Sequence, residues 1–122
     1  MPDHSALAAN ERFYAAFSGR DFEGMDQLWA AEAPVSCVHP GWMALHGRGD
    51  VMRSWAAILS NPSQPRVVPG GASAEIHGDI AIVHCREFVA GTPLVSTNIF
   101  VDEHGAWRMI HHHSSPVAVA PD

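Results

Sequence analysis

Two features of the 122-residue chain predict an α+β fold. Helical spacing of apolar residues is confined to the first half, and β-type alternation broken by tight turns fills the second. Helices followed by a run of strands pack as one layer on another, and this length holds one core. The reading is therefore a single domain over residues 1–122, with three N-terminal helices on a curved antiparallel sheet.

Each element has a local cause. Leu7, Asn10, Phe13, Tyr14 and Phe17 recur at the three-and-four spacing of one helix face. Gly19 is the expected stop, and Asp21 the expected cap of a second helix with Phe22, Met25, Leu28 and Trp29 on its stripe. Pro34 ends that pattern, and Val35 to His39 reads as a short strand leading into a Pro40-Gly41-Trp42 turn. A third helix follows Gly47 and Gly49, with Val51, Met52, Trp55, Ile58 and Leu59 on its apolar face and Asn61-Pro62-Ser63 at its end.

The remainder is β. Val67-Val68 opens it, Ala72 to His77 continues, and Gly78-Asp79 is a hairpin signal. Ile80 to Val89 and Leu94 to Val101 are strands joined through Gly91-Thr92-Pro93, and His104-Gly105 turns into a last strand. The tail after Pro116 is expected to fray. Strict alternation puts Trp107, Met109, His111 and His113 on one face of the last strand and Arg108, Ile110 and His112 on the other. The first set is read as facing the interior, with His112 at a dimer interface or paired to a polar neighbour. Both faces of the Ile80–Val89 strand are apolar, Ala81, Val83, Cys85 and Val89 against Ile80, Ile82, His84 and Phe88. The helices bury one face, so a homodimer through the other sheet face is expected.

Composition narrows the partners. Apolar residues make up 47% and charged residues 16%, the profile of a globular domain and not of a disordered chain. The net charge of −6 comes with seven Arg and no Lys, which argues against nucleic acid and against an anionic membrane surface. Cys37 and Cys85 lie in apolar runs and read as buried thiols. The opening Met1-Pro2-Asp3-His4 has no basic region and no long apolar run follows, so a cytoplasmic protein is expected.

The element order resembles the NTF2-like fold. The motifs Cys37-Val38-His39-Pro40-Gly41-Trp42, Gly47, Ser54-Trp55, Thr97-Asn98-Ile99-Phe100 and Trp107 to Pro116 resemble those of small bacterial SnoaL-like proteins over residues 5 to 117. The resemblance implies a cone-shaped sheet around a pocket. Isomerase relatives keep an acidic base before a Pro after the first strand, where this chain has His39. They also keep a Tyr donor on the first helix, which Tyr14 matches, and a protonated Asp near the position of Asn98. The missing acid argues against steroid isomerisation itself.

The resulting expectation is a small-molecule-binding SnoaL-like protein that acts as a cofactor-free isomerase, dehydratase or cyclase by general acid–base chemistry. Its alternative is a non-catalytic ligand-binding or oligomerisation module of the same fold. In the first reading His39 is the base, and Tyr14 and Asn98 hold a developing oxyanion. Trp42, Trp55, His111 and His113 contact a small hydrophobic or polar organic ligand. His111 and His113 would stand roughly 6.5–7 Å apart along a strand. No carboxylate accompanies them or His39, so no metal site is expected. Glu87 is read as a structural partner of Arg108, and Asn98, unusual in a strand, as bonded to a nearby His.

Overall fold

The computed structural model describes residues 2–118, with side chains from residue 6 onward. The end of the tail expected to fray, residues 119–122, lies outside the described residues. Three helices, α1 (Pro2–Ser18), α2 (Phe22–Leu28) and α3 (Arg48–Ser60), pack on a curved, unclosed sheet. Its six strands are β1 (Ser36–Val38), β2 (Leu45–His46), β3 (Val67–His77), β4 (Ile80–Val89), β5 (Thr92–Glu103) and β6 (Ala106–Pro116). Their order is β2-β1-β6-β5-β4-β3. The expected antiparallel sheet is corrected to a mixed one, because β1 runs parallel to β6 with Cys37 opposite His112. No hairpin joins these two strands, so no local turn chemistry sets their relative direction. β2 was not foreseen, being only two residues long.

The interior lies between the helices and the concave side of the sheet. Phe13, Met25, Trp29, Trp55, Phe100 and Met109 are its largest buried apolar side chains. The apolar stripes of α1 and α3 fall where the spacing predicts; on the α2 stripe Phe22 remains 40% exposed and Trp29 lies just past the end of the helix. Asp21 caps α2 by accepting from the Gly24 amide. At the end of α1 the left-handed position belongs to Arg20 (φ 54°), one residue beyond the expected Gly19. The Arg20 and Asp21 amides bond back to Phe17 and Ala16, a Schellman ending. The Arg20 guanidinium repays that strain by donating to the carbonyls of Leu59, Asn61, Pro62 and Gln64, which ties α1 to the end of α3.

Two bulges decide which side chains point inward. In β3 the register shifts between Gly70 and Ser73, so one bent strand replaces the two pieces read from sequence. In β6, Ile99 pairs with His111 while Phe100 pairs with Met109, leaving Ile110 as an extra residue. Before this bulge Trp107 and Met109 face inward; after it His112 and Ser114 do. The alternation rule therefore fails by one residue, and His111 and His113 stand on the convex face. No helix among the described residues is long and apolar enough to cross a membrane.

Candidate active site

A cavity of about 510 Å³ opens between α3, the Pro40 turn and the inner face of the sheet. Its buried polar lining comes from three places: His39 after β1, Glu87 on β4 and His112 on β6. Apolar walls come from Phe17, Ile58, Val67, Val89 and Leu94.

His39 is held in one tautomer. Its Nε2 lies 2.9 Å from the Ser54 hydroxyl, which gives its only hydrogen to the Val51 carbonyl at 2.6 Å. Ser54 oxygen must therefore accept from His39, so Nε2 carries the proton and Nδ1 is the unprotonated nitrogen, with the Cys37 sulfur 3.9 Å away. Burial pushes the His39 imidazole down to about 4 and the neighbouring Cys37 thiol up to about 12. At neutral pH both groups are uncharged. Trp42 stacks edge-on against His39 with centroids 4.9 Å apart, on the cavity wall. The turn that delivers it has Pro40 at the second position, Gly41 at φ +81° and the Trp42 amide donating to the His39 carbonyl. That is a type II turn, which needs glycine at its third residue. Trp55 is fully buried behind His39, at 4.8 Å, and does not form the wall.

His112 is fixed in the opposite sense. Its Nδ1 lies 2.6 Å from Asn98 Oδ1, an oxygen that can only accept. Nδ1 is therefore the donor, and Nε2 is unprotonated. Burial and the adjacent His39 hold this imidazole well below the ordinary histidine range. The two rings lie 6.4 Å apart between centroids. Asn98 does bond a histidine, as read from the sequence, but the partner is the residue first assigned to the other face.

Tyr14 and Asn98 are near the site without offering a donor to it. Asn98 spends both amide hydrogens, one on Asn10 Oδ1 at 2.8 Å and one on the Tyr14 oxygen at 3.1 Å. Tyr14 gives its hydrogen to Glu87 Oε2 at 2.5 Å. Burial and the Glu87 charge raise the Tyr14 phenol far above its ordinary value, so it stays protonated. Neither residue lines the cavity. The expected pair of oxyanion donors is thus corrected to a pair that positions Glu87 and His112.

Glu87 is the group that sequence reasoning missed. It is 2% exposed, and its second oxygen accepts from Ser114 at 2.6 Å. Its expected partner Arg108 instead donates to the Gln27 carbonyl in α2. The signal was available, since Glu87 continues the inward series Ala81, Val83, Cys85. On the convex face, His111 is half-buried and bonded to Ser36 at 2.7 Å, and His113 is exposed. They do not reach the cavity, because the bulge at Ile110 has turned them outward. Among the described residues no three His, Cys, Asp or Glu side chains converge to hold a metal ion.

The sequence of residues 6–120 matches the model of a SnoaL-like domain. The chain belongs to the SnoaL-like domain family. Like other SnoaL-like chains it sits within the NTF2-like superfamily. A proposed dehydratase of the NTF2-like family from Streptomyces avermitilis is 34% identical, with a TM-score of 0.89 over 97% of each chain. A protein from Thiobacillus denitrificans, described as a proposed association domain of calcium/calmodulin-dependent protein kinase type II, is 30% identical. It has a TM-score of 0.80 over 91% of this chain and 94% of its own. F-box protein SKIP8 of Arabidopsis thaliana is 27% identical over 115 residues, 93% of the SnoaL-like chain. The chain spans 50% of the length of that relative.

Proposed function

We propose that this SnoaL-like chain is a small-molecule enzyme that works without a cofactor by proton transfer in its cavity, as an isomerase, cyclase or, by preference, a dehydratase. The observation that carries the reading is His39: buried on the wall of a 510 Å³ cavity, neutral, with its unprotonated nitrogen set by Ser54 and its nearest neighbour there only a thiol 3.9 Å away. A cavity of this size takes a small organic molecule. The 34% identity to a proposed dehydratase supports loss of water as the reaction class. In that reaction His39 Nδ1 takes a proton from carbon, and the resulting imidazolium returns it to the departing hydroxyl. One imidazole thereby serves as base and acid, and the proton leaves as part of the water. His112, Trp42 and the apolar wall orient the substrate. The test is turnover of a panel of β-hydroxy carbonyl compounds, followed by ultraviolet absorbance of the conjugated product. Loss of at least a hundredfold in rate in His39→Gln supports the reading. Turnover unchanged in that variant, or none across a panel that binds, moves the chain to the non-catalytic ligand-binding alternative.

A second part of the proposal concerns assembly. Val68, Phe88 and Val95 are 50%, 42% and 45% exposed on the convex sheet face. The four long strands, ~4.8 Å apart and with nine or ten paired residues each, give a face on the order of 600 Å² before side-chain relief is counted. This approaches the ~800 Å² per partner of a standard interface. A second copy packed sheet to sheet is the occupant that covers it. Light scattering should report a dimer, and Phe88→Glu a monomer; a wild-type monomer at micromolar concentration removes this part.

A further inference from the structure

The donors and acceptors of the cavity identify the chemistry of its ligand. Its three buried polar groups are all acceptors: His39 Nδ1, His112 Nε2 and the Glu87 carboxylate. Side-chain donors that line the cavity, on Trp42, Asn61, Gln64 and Thr92, all belong to exposed or half-exposed residues. No Arg lines it among the described residues. As a carboxylate, Glu87 accepts one hydroxyl hydrogen on each oxygen, from Tyr14 and from Ser114. Each oxygen keeps a second lone pair. Two neutral hydroxyls stabilise that charge but do not balance it, and a buried charge without a counter-ion is costly. The adjacent histidines do not supply one, since burial keeps both neutral.

We infer that the cavity is built for an amphiphilic amine: a protonated ammonium head paired with Glu87 and an apolar body against Phe17, Ile58, Val89 and Leu94. The inference rests on the reading that the cavity binds a small organic molecule, and it names the class. The ammonium supplies the missing positive charge and up to three hydrogens to buried groups that only accept. The same wall disfavours carboxylates and phosphates, which bring more acceptors and a like charge to a site with no buried donor to meet them.

The experiment compares three probes of one shape, cyclohexylmethylammonium, cyclohexylmethanol and cyclohexanecarboxylate. Binding is followed by Trp42 fluorescence and by amide chemical shifts around the cavity. The ammonium should bind at least tenfold more tightly than the alcohol and more tightly still than the carboxylate. Glu87→Gln should abolish the preference for the ammonium over the alcohol. Glu75→Gln, which removes one charge from an exposed residue of β3, should leave that preference intact and so separates the site from the overall charge of −6. A carboxylate that binds as well as the amine overturns the inference while leaving the small-molecule reading in place. A preference lost in Glu75→Gln overturns it also. Binding of none of the three at millimolar concentration overturns both. The ranking on the wild-type protein stands as a test even if Glu87→Gln does not fold.

Discussion

Acid should destabilise this protein well before its carboxylates titrate. In the folded chain burial holds His39 at about 4, against 6.5 when exposed. Between those values the unfolded chain takes up a proton that the folded chain refuses. Stability is therefore unaffected above pH 6.5, falls as the pH drops through the window, and stops falling from this cause below about pH 4. At about 1.4 kcal/mol per pH unit, the full window is worth on the order of 3 kcal/mol for His39 alone. His112, also displaced downward by burial, acts in the same direction and steepens the slope. Exposed His104 acts oppositely, because Glu32 raises it. The assay is urea denaturation followed by circular dichroism at half-unit steps from pH 7.5 to 4, on wild type and His39→Gln. The wild-type curve should fall more steeply, the gap between the two slopes approaching one proton. Parallel curves, or a His39 ring that titrates near 6.5 by NMR in the folded protein, would refute the assignment of a desolvated, neutral base.

Three further outcomes follow from the same geometry. Tyr14→Phe removes the phenol that donates to Glu87 and accepts from Asn98, stranding a buried amide hydrogen; thermal or urea denaturation should show a loss of about 2–4 kcal/mol. Gly41→Ala meets no atom within 4 Å, so its cost is backbone strain alone at φ +81°. A loss of about 1–2 kcal/mol is expected in urea, with a changed Trp42 emission. Deletion of Ile110 would join the two stretches of β5–β6 pairing into one regular ladder, with Met109 still inward and His112 and Ser114 still bonded to Asn98 and Glu87. That variant should keep a cooperative urea transition, and loss of that transition would show that the bulge itself is needed to bend β6.

The sequence by itself determined the order of elements and most of the interior. Apolar spacing marks the inner faces of α1 and α3, and Gly78-Asp79 and His104-Gly105 mark two hairpins at the observed places. Pro40-Gly41 marks the turn that sets Trp42 against His39. These are local effects, in which backbone geometry within a few residues decides the outcome. What only the tertiary structure decided depends on chain segments far apart. The parallel pairing of β1 with β6 joins residues more than seventy positions apart, and no short-range signal encodes it. The single extra residue at Ile110 reversed every later side chain of β6 and exchanged His111 and His113 for His112 and Ser114. Tyr14 and Asn98 were identifiable as important, but their roles followed from counting hydrogens across α1, β4, β5 and β6 at once. Residue type says what a side chain can donate or accept. Only the assembled sheet decides which of those capacities are already spent and which are left facing the cavity.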